Sequence, residues 1–204
     1  MKLALGPVEV RFTERADGDF SMDATGLCVA KQVHGTRVVV VDGASTDMGE
    51  ADALVTRQRD LPIAVRTADC APVVLSSSTV VGVVHCGWRG LAGGVLEAAV
   101  HTMRDLGALS VDAALGPCIH AECYAFSKDD LDDLAVRYGD VVRGTAASGD
   151  AALDLPAMVK AALAGVDVPL VFDAGTCTAC DASRWFSHRA RGESERQAAV
   201  AWLA

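Results

Sequence analysis

Cys70 and His85 are the residues of this 204-residue chain whose types and spacing point most directly to chemistry. They flank Val73-Val-Leu-Ser-Ser-Ser-Thr-Val-Val-Gly-Val-Val84, which reads as two β-branched strands joined by a tight turn. A turn centred on Ser77-Ser78, or a four-residue loop over 76–79, sets Cys70 directly opposite His85. Opposed residues hold their Cβ atoms about 4.5–5.5 Å apart, a gap that one metal ion or a thiol–imidazole hydrogen bond spans. Arg89 lies in Gly87-Trp-Arg-Gly90, where strand gives way to helix, and a guanidinium beside a helix start suits phosphate or a ribose oxygen. A salt-bridged surface arginine is the alternative. Asp69 points to the other face of a regular strand, which suits support of a loop. Cys177-Thr-Ala-Cys180 has the spacing of a redox pair or a zinc knuckle. An all-cysteine site with Cys118 and Cys123 is less favoured than buried thiols, because four residues separate that second pair.

Three segments, Lys31-Gln-Val-His34-Gly, Thr67-Ala-Asp-Cys70 and His85-Cys-Gly-Trp-Arg-Gly90, resemble the signatures of the YfiH-like family. That family is also called multicopper polyphenol oxidase or laccase-domain protein, purine nucleoside phosphorylase and peptidoglycan editing factor. The likeness continues through Leu115-Gly-Pro-Cys118-Ile-His-Ala-Glu-Cys123-Tyr, Leu153-Asp-Leu-Pro, Cys177-Thr-Ala-Cys180-Asp, Trp185-Phe-Ser-His188-Arg-Ala-Arg and Arg196-Gln-Ala-Ala-Val, and so spans most of the chain. Cys86 and His120 stand where the family usually has small residues, adding spare ligands.

The resemblance implies a zinc ion held by His34, Cys70 and His85. Two imidazoles and one thiolate leave a fourth tetrahedral position open, the arrangement of a catalytic site. It implies phosphorolysis of adenosine, inosine and methylthioadenosine, with purine nucleosides and phosphate as partners and adenosine deamination as a side activity. Gln32, on the strand parity of His34, is a candidate contact to a purine edge. Cys118 and His120 sit in a loop that resembles one lining the family pocket. The basic cluster Arg184, His188, Arg189 and Arg191 offers phosphate or nucleotide contacts, with a solvated surface as its plainer reading. Two other enzyme readings stay open. A cysteine hydrolase would use Cys70 as nucleophile and His85 as base on peptidoglycan precursors. A copper-dependent polyphenol oxidase would use copper in the same trio. His34, His85, His101, His120 and His188 are the five histidines, too few for a multicopper relay. A non-enzymatic binding module is the third class.

Positioning such a site requires a sheet-rich framework. Strands are expected at 8–12, 27–33, 37–41, 53–55, 63–66, 73–75, 80–84, 111–115, 170–172 and 198–203. Leu91, Val95, Leu96, Ala99, Val100 and Met103 recur at helical steps, predicting one amphipathic helix over 90–106 with His101 solvated. Further helices are expected at 128–137, with its aspartates outward, and at 155–163, and Gly144–Gly149 reads as a surface loop. The fold class is mixed α+β (α/β in the broad sense), a layered mixed β-sandwich flanked by helices, and the resemblance implies a cysteine-hydrolase-like fold in one domain over 1–204. With 51% apolar residues the chain can bury a sizeable core. A net charge of −9 disfavours nucleic acid. No apolar run reaches membrane-spanning length and no basic leader precedes one, so a cytoplasmic protein with reduced thiols is expected. Oligomeric state is left open.

Overall fold

The computed structural model describes residues 1–20, 26–44 and 48–204. In chain order the strands and helices are β1 (Lys2–Leu5), β2 (Val8–Phe12), β3 (Cys28–Val29), β4 (Val38–Val41), β5 (Ala53–Thr56), β6 (Ile63–Thr67), β7 (Ala71–Ser76), β8 (Val81–Cys86), α1 (Trp88–Gly93) and α2 (Val95–Asp105). There follow β9 (Asp112–Leu115), α3 (Lys128–Tyr138), β10 (Arg143–Thr145), β11 (Ala151–Leu153), α4 (Leu155–Ala164), β12 (Leu170–Asp173), α5 (His188–Arg191) and β13 (Gln197–Leu203). A five-stranded sheet runs β1-β2-β13-β6-β3 and a six-stranded sheet runs β12-β9-β7-β8-β5-β4, both of mixed direction.

Alternation along the strands builds two apolar layers. Val74, Val83 and Leu54 face Val10, Phe12, Ile63 and Ala199 of the other sheet. Val73, Leu75 and Val84 turn the opposite way, onto Leu91, Leu96, Met103 and Met158 of the helices. With both faces covered, every residue of β7 and β8 is buried, which explains their near-continuous apolar sequence. The expected layered sandwich is therefore present, with α1, α2 and α4 packed against the six-stranded sheet. Among the described residues no helix is long and apolar enough to cross a membrane.

Three sequence expectations are corrected. The β7–β8 turn lies one residue later than Ser77-Ser78, because the Ser77 hydroxyl accepts the N–H of Val80 at 2.9 Å and closes a turn over 77–80. Pro72, not Cys70, is therefore opposite His85. The helix expected over 90–106 is broken at Gly94, whose φ of 96° only glycine adopts without strain, giving α1 and α2. Of the loop expected over Gly144–Gly149, Gly144 and Thr145 belong to β10, which pairs with β11 in a hairpin, while 146–149 form its turn. α3 keeps its aspartates outward while Leu131 and Leu134 are buried, as expected.

Candidate metal centre and cavity

Asp52, fully buried at the entrance to β5, organises the histidines. Its Oδ1 accepts the backbone N–H of His34 at 2.9 Å and stands 2.8 Å from His85 Nδ1. Its Oδ2 accepts the N–H groups of Val33 at 3.2 Å and Gly35 at 2.7 Å. One carboxylate thus folds the 33–35 turn, in which His34 has a φ of 57°, and orients the His85 ring. Burial works against the charged carboxylate, but the His85 hydrogen bond and the turn amides outweigh it and hold Asp52 below its ordinary value. An ionised Asp52 accepts a hydrogen bond from His85 Nδ1–H, which leaves Nε2 as the ring atom that can act as a ligand.

Asp69 does the corresponding work for Cys70. Its oxygens accept the Thr178 hydroxyl at 2.7 Å, the Ser187 hydroxyl at 2.6 Å and the Arg189 N–H at 2.6 Å. The loop-supporting role expected of it matches these contacts. With φ at 97°, Asp69 bends the chain just before β7 and presents Cys70 beside His85 despite the shifted register. A register change of two in the pair sum leaves side-chain parity intact, so the two residues still share a face.

One donor atom each from His34, Cys70 and His85 lies within 4.8 Å of the others. A Cβ placed on Gly87 would fall 2.4 Å from His34 Nδ1 and 3.3 Å from Cys70 Sγ, so the missing side chain at that position makes room for the trio. Two imidazoles and a thiol at this spacing fit a transition-metal ion, and the Asp52–His85 contact is the outer-shell partner such ligands use. The two rings are tuned apart. Desolvation and the His85 charge push His34 below the usual imidazole value, against the pull of Asp52. Burial would also depress His85, but Cys70 and Asp52 override it and raise it to about 9.

The trio shares a cavity of about 400 Å³ with Lys31, Arg66, Thr67, His188 and Arg196. Arg66 Nε and the Thr67 hydroxyl are buried without a protein partner among the described residues. Of the residues singled out from sequence, His34, Cys70, His85, Gln32 and His188 line this cavity. Gln32 spends its amide on the Arg66 backbone, accepting at 2.8 Å and donating at 2.7 Å. His188 Nδ1 donates to the Glu193 carbonyl at 3.3 Å.

The remaining candidates do not line this cavity, although the Arg89 charge reaches His34 and helps to lower its pKa. Arg89 is exposed, with its guanidinium 4.2 Å over the Trp88 ring, on a helix of six residues. Arg189 stacks on Tyr124 at 4.8 Å. Arg184 is ion-paired to Glu14 and Arg191 to Glu193. Cys118 is buried, its backbone paired in a parallel β-bridge with that of Cys177, and Cys86 packs in the helix-side core, where burial drives its thiol well up. His120 belongs to a separate cavity of about 330 Å³ with Asp154, Lys160 and Asp173. Asp52, Arg66, Thr67 and Arg196 were not singled out from sequence. The signal for Asp52 is an acid between alanines at the head of an apolar strand, Ala51-Asp-Ala-Leu-Val55.

A family model described as multi-copper polyphenol oxidoreductase laccase matches residues 10–204. A protein from an unknown prokaryotic organism named adenosine deaminase RL5 is 34% identical over 84% of this chain and 72% of its own length. A Streptomyces griseus protein named purine nucleoside phosphorylase ORF3 is 35% identical over 93% of this chain and 79% of its own. Among solved structures, Neisseria meningitidis protein NMB0706 superposes with a TM-score of 0.83 at 27% identity, covering 100% of this chain and 98% of that one. The Bacillus licheniformis hypothetical protein YfiH superposes with a TM-score of 0.85 at 25% identity, covering 97% and 93%.

Proposed function

Because the chain belongs to the multi-copper polyphenol oxidoreductase laccase family, in which relatives about one-third identical are named for purine nucleoside chemistry, we propose that it is a zinc-dependent purine nucleoside phosphorylase with an adenosine deaminase side activity. The observation that carries this reading is one cavity holding both a His34–Cys70–His85 donor set and the cationic side chains of Arg66 and Arg196. Its substrates are adenosine, inosine and methylthioadenosine, with phosphate as the second reactant.

In this reading His34, Cys70 and His85 hold the ion, and Asp52 keeps the His85 proton on Nδ1. Bound zinc supplies a Lewis acid and lowers the pKa of coordinated water to about 7. Arg66 and Arg196 bind the phosphate dianion, and His188 and Lys31 add positive potential at the same wall. Phosphorolysis forms a bond from phosphate oxygen to the anomeric carbon while the bond to the purine nitrogen breaks and its electron pair leaves with the base. Zinc is favoured over a multicopper set because His101 is exposed on α2 and His120 sits in the other cavity, leaving no further histidine cluster among the described residues.

A second reading draws on one contact. Cys70, His85 and Asp52 form a nucleophile–base–orienter chain, the arrangement of a cysteine hydrolase acting on amides such as peptidoglycan precursors. Metal content separates the two, since an ion on Cys70 occupies the nucleophile. The test is elemental analysis of the purified protein, then a nucleoside panel with and without phosphate. Free base released by a zinc-loaded, copper-free sample only when phosphate is present supports the phosphorylase. Zinc-loaded protein that converts no nucleoside, or a main activity needing stoichiometric copper, overturns it.

A further inference from the structure

A second set of soft donors gathers away from the cavity, where the loop 120–125 meets the loop 176–181. Cys123 ends the 3-10 turn Ala121–Cys123, and Cys177 is bridged by backbone to Cys118. Cys180 follows Cys177 by three residues. The sulfurs of Cys123 and Cys180 are 3.3 Å apart, and Cys180 Sγ is 3.6 Å from Glu122 Oε1. One donor atom from each of Glu122, Cys123, Cys177 and Cys180 lies within 4.8 Å of all the others. We propose that these four residues form a second zinc site, structural in kind and independent of the His34–Cys70–His85 centre.

Zinc–sulfur bonds of about 2.3 Å at tetrahedral angles place sulfurs about 3.8 Å apart. The Cys123–Cys180 separation of 3.3 Å lies about half an ångström under that value and all four donor atoms lie within 4.8 Å of one another, so closing the site takes only small side-chain rotations. Three sulfurs select zinc over magnesium, calcium or manganese. Four protein ligands leave no open position, which is the hallmark of a structural site. The His120 N–H already donates to Cys177 Sγ at 3.4 Å, the kind of amide–sulfur bond that supports a thiolate ligand. Cys118 takes no part, because its side chain is buried in the helix-side core. A disulfide would join only two of the three thiols and leave the carboxylate without a role.

The position suggests what the ion does. Both loops are irregular, and both reach the main site: Thr178 donates to Asp69, and Arg189, whose own N–H holds Asp69, extends its guanidinium to the Ala125 carbonyl at 3.4 Å. A clamp between them fixes the support of Cys70.

The test is native mass spectrometry of reduced, zinc-equilibrated protein, with cobalt(II) titration of the metal-free form as a second readout. Two zinc ions per wild-type chain are expected. Cys70→Ser is expected to keep one, with cobalt absorption of three-thiolate intensity, and Cys123→Ser with Cys180→Ser is expected to lose that signal. If this double variant does not fold, Cys180→His keeps four donors and is expected to retain the ion with weaker sulfur-to-cobalt absorption. A Cys70→Ser chain with no zinc, a wild-type zinc count that Cys123→Ser with Cys180→Ser leaves unchanged, or a mass 2 Da low from a Cys123–Cys180 disulfide under reductant overturns the proposal. Because Cys70→Ser disables the first centre, loss of the nucleoside reading leaves this result unaffected.

Discussion

Asp52→Asn is a sharp test of how the histidines are held, because the two groups differ by one atom and four donors converge on the original carboxylate. An asparagine oxygen on the Oδ1 side still accepts from His34 and His85, but its amide then faces the N–H groups of Val33 and Gly35. Flipped, it satisfies those two and confronts the His34 N–H and His85 Nδ1 instead. Either way two donors at least partly buried lose their acceptor, at up to about 1–3 kcal/mol each. The sum, roughly 2–6 kcal/mol, is a large part of a typical domain's stability of about 5–15 kcal/mol. In the flipped form His85 is also driven to carry its proton on Nε2, which removes the ligand atom. Loss of such an outer-shell partner weakens metal binding about 10–100-fold. Zinc affinity is read by competition with a chromophoric chelator, and stability by denaturant unfolding with and without zinc. A variant with wild-type zinc affinity and an unchanged midpoint would refute the role assigned to Asp52.

Gly87→Ala should abolish ion binding at the cavity while leaving the fold intact, because the added carbon collides with His34 and not with the core; calorimetric titration and circular dichroism check this. Arg66→Ala and Arg196→Ala should raise the KM for phosphate about tenfold or more with little effect on deamination, which needs no anion, whereas Arg89→Ala should change phosphate KM little; equal losses in both reactions would assign the cavity arginines to shared binding. Glu193 is held near pH 2: burial opposes its charge, but the Ser187 N–H, Arg15 and Arg191 outweigh that penalty. Its folded pKa being depressed, its contribution is present above the ordinary glutamate value of 4.5 and is lost as pH falls toward 2. Glu193→Gln should therefore flatten the stability profile across that window, measured by thermal unfolding at successive pH values.

Patterns of period two and 3.6 made most of β2, β4 to β9 and β13 legible in the sequence, along with α3 and α4, because burial dictates those patterns directly. What escaped depended on single side chains acting on backbone. Ser77 moved the β7–β8 turn, and Gly94 split a helix whose apolar stripe runs on across the break. The expected strand over 27–33 shrinks to Cys28–Val29 because the 33–35 turn is captured by Asp52, a residue distant in sequence. His34, Cys70 and His85 converge even though the direct opposition expected of the last two does not occur, since the shift preserved parity. The cationic wall was hidden for another reason. Arg66 lies at the end of a strand and Arg196 immediately before one, so nothing local distinguishes them from ordinary strand-flanking charges. At the other thiols, spacing favoured plain buried cysteines, whereas the fold gathers Cys123, Cys177 and Cys180 with Glu122 and leaves Cys118 in the core.

The close approach of Gly87 and Gly90 to the His34 turn bears on how such a cavity can change its substrate. A Cβ on Gly90 would come within 3.0 Å of the Gly35 carbonyl, so main chain lies against main chain there, with no intervening side chain to repack. The reactive corner is accordingly specified by backbone path and by Asp52, and it tolerates little drift. Lys31, His188 and Arg196, on the rest of the wall, reach in from loop or exposed positions. Replacing those residues alters which molecule is accepted without moving the donors, so new selectivity can be selected on a chemical apparatus that stays the same.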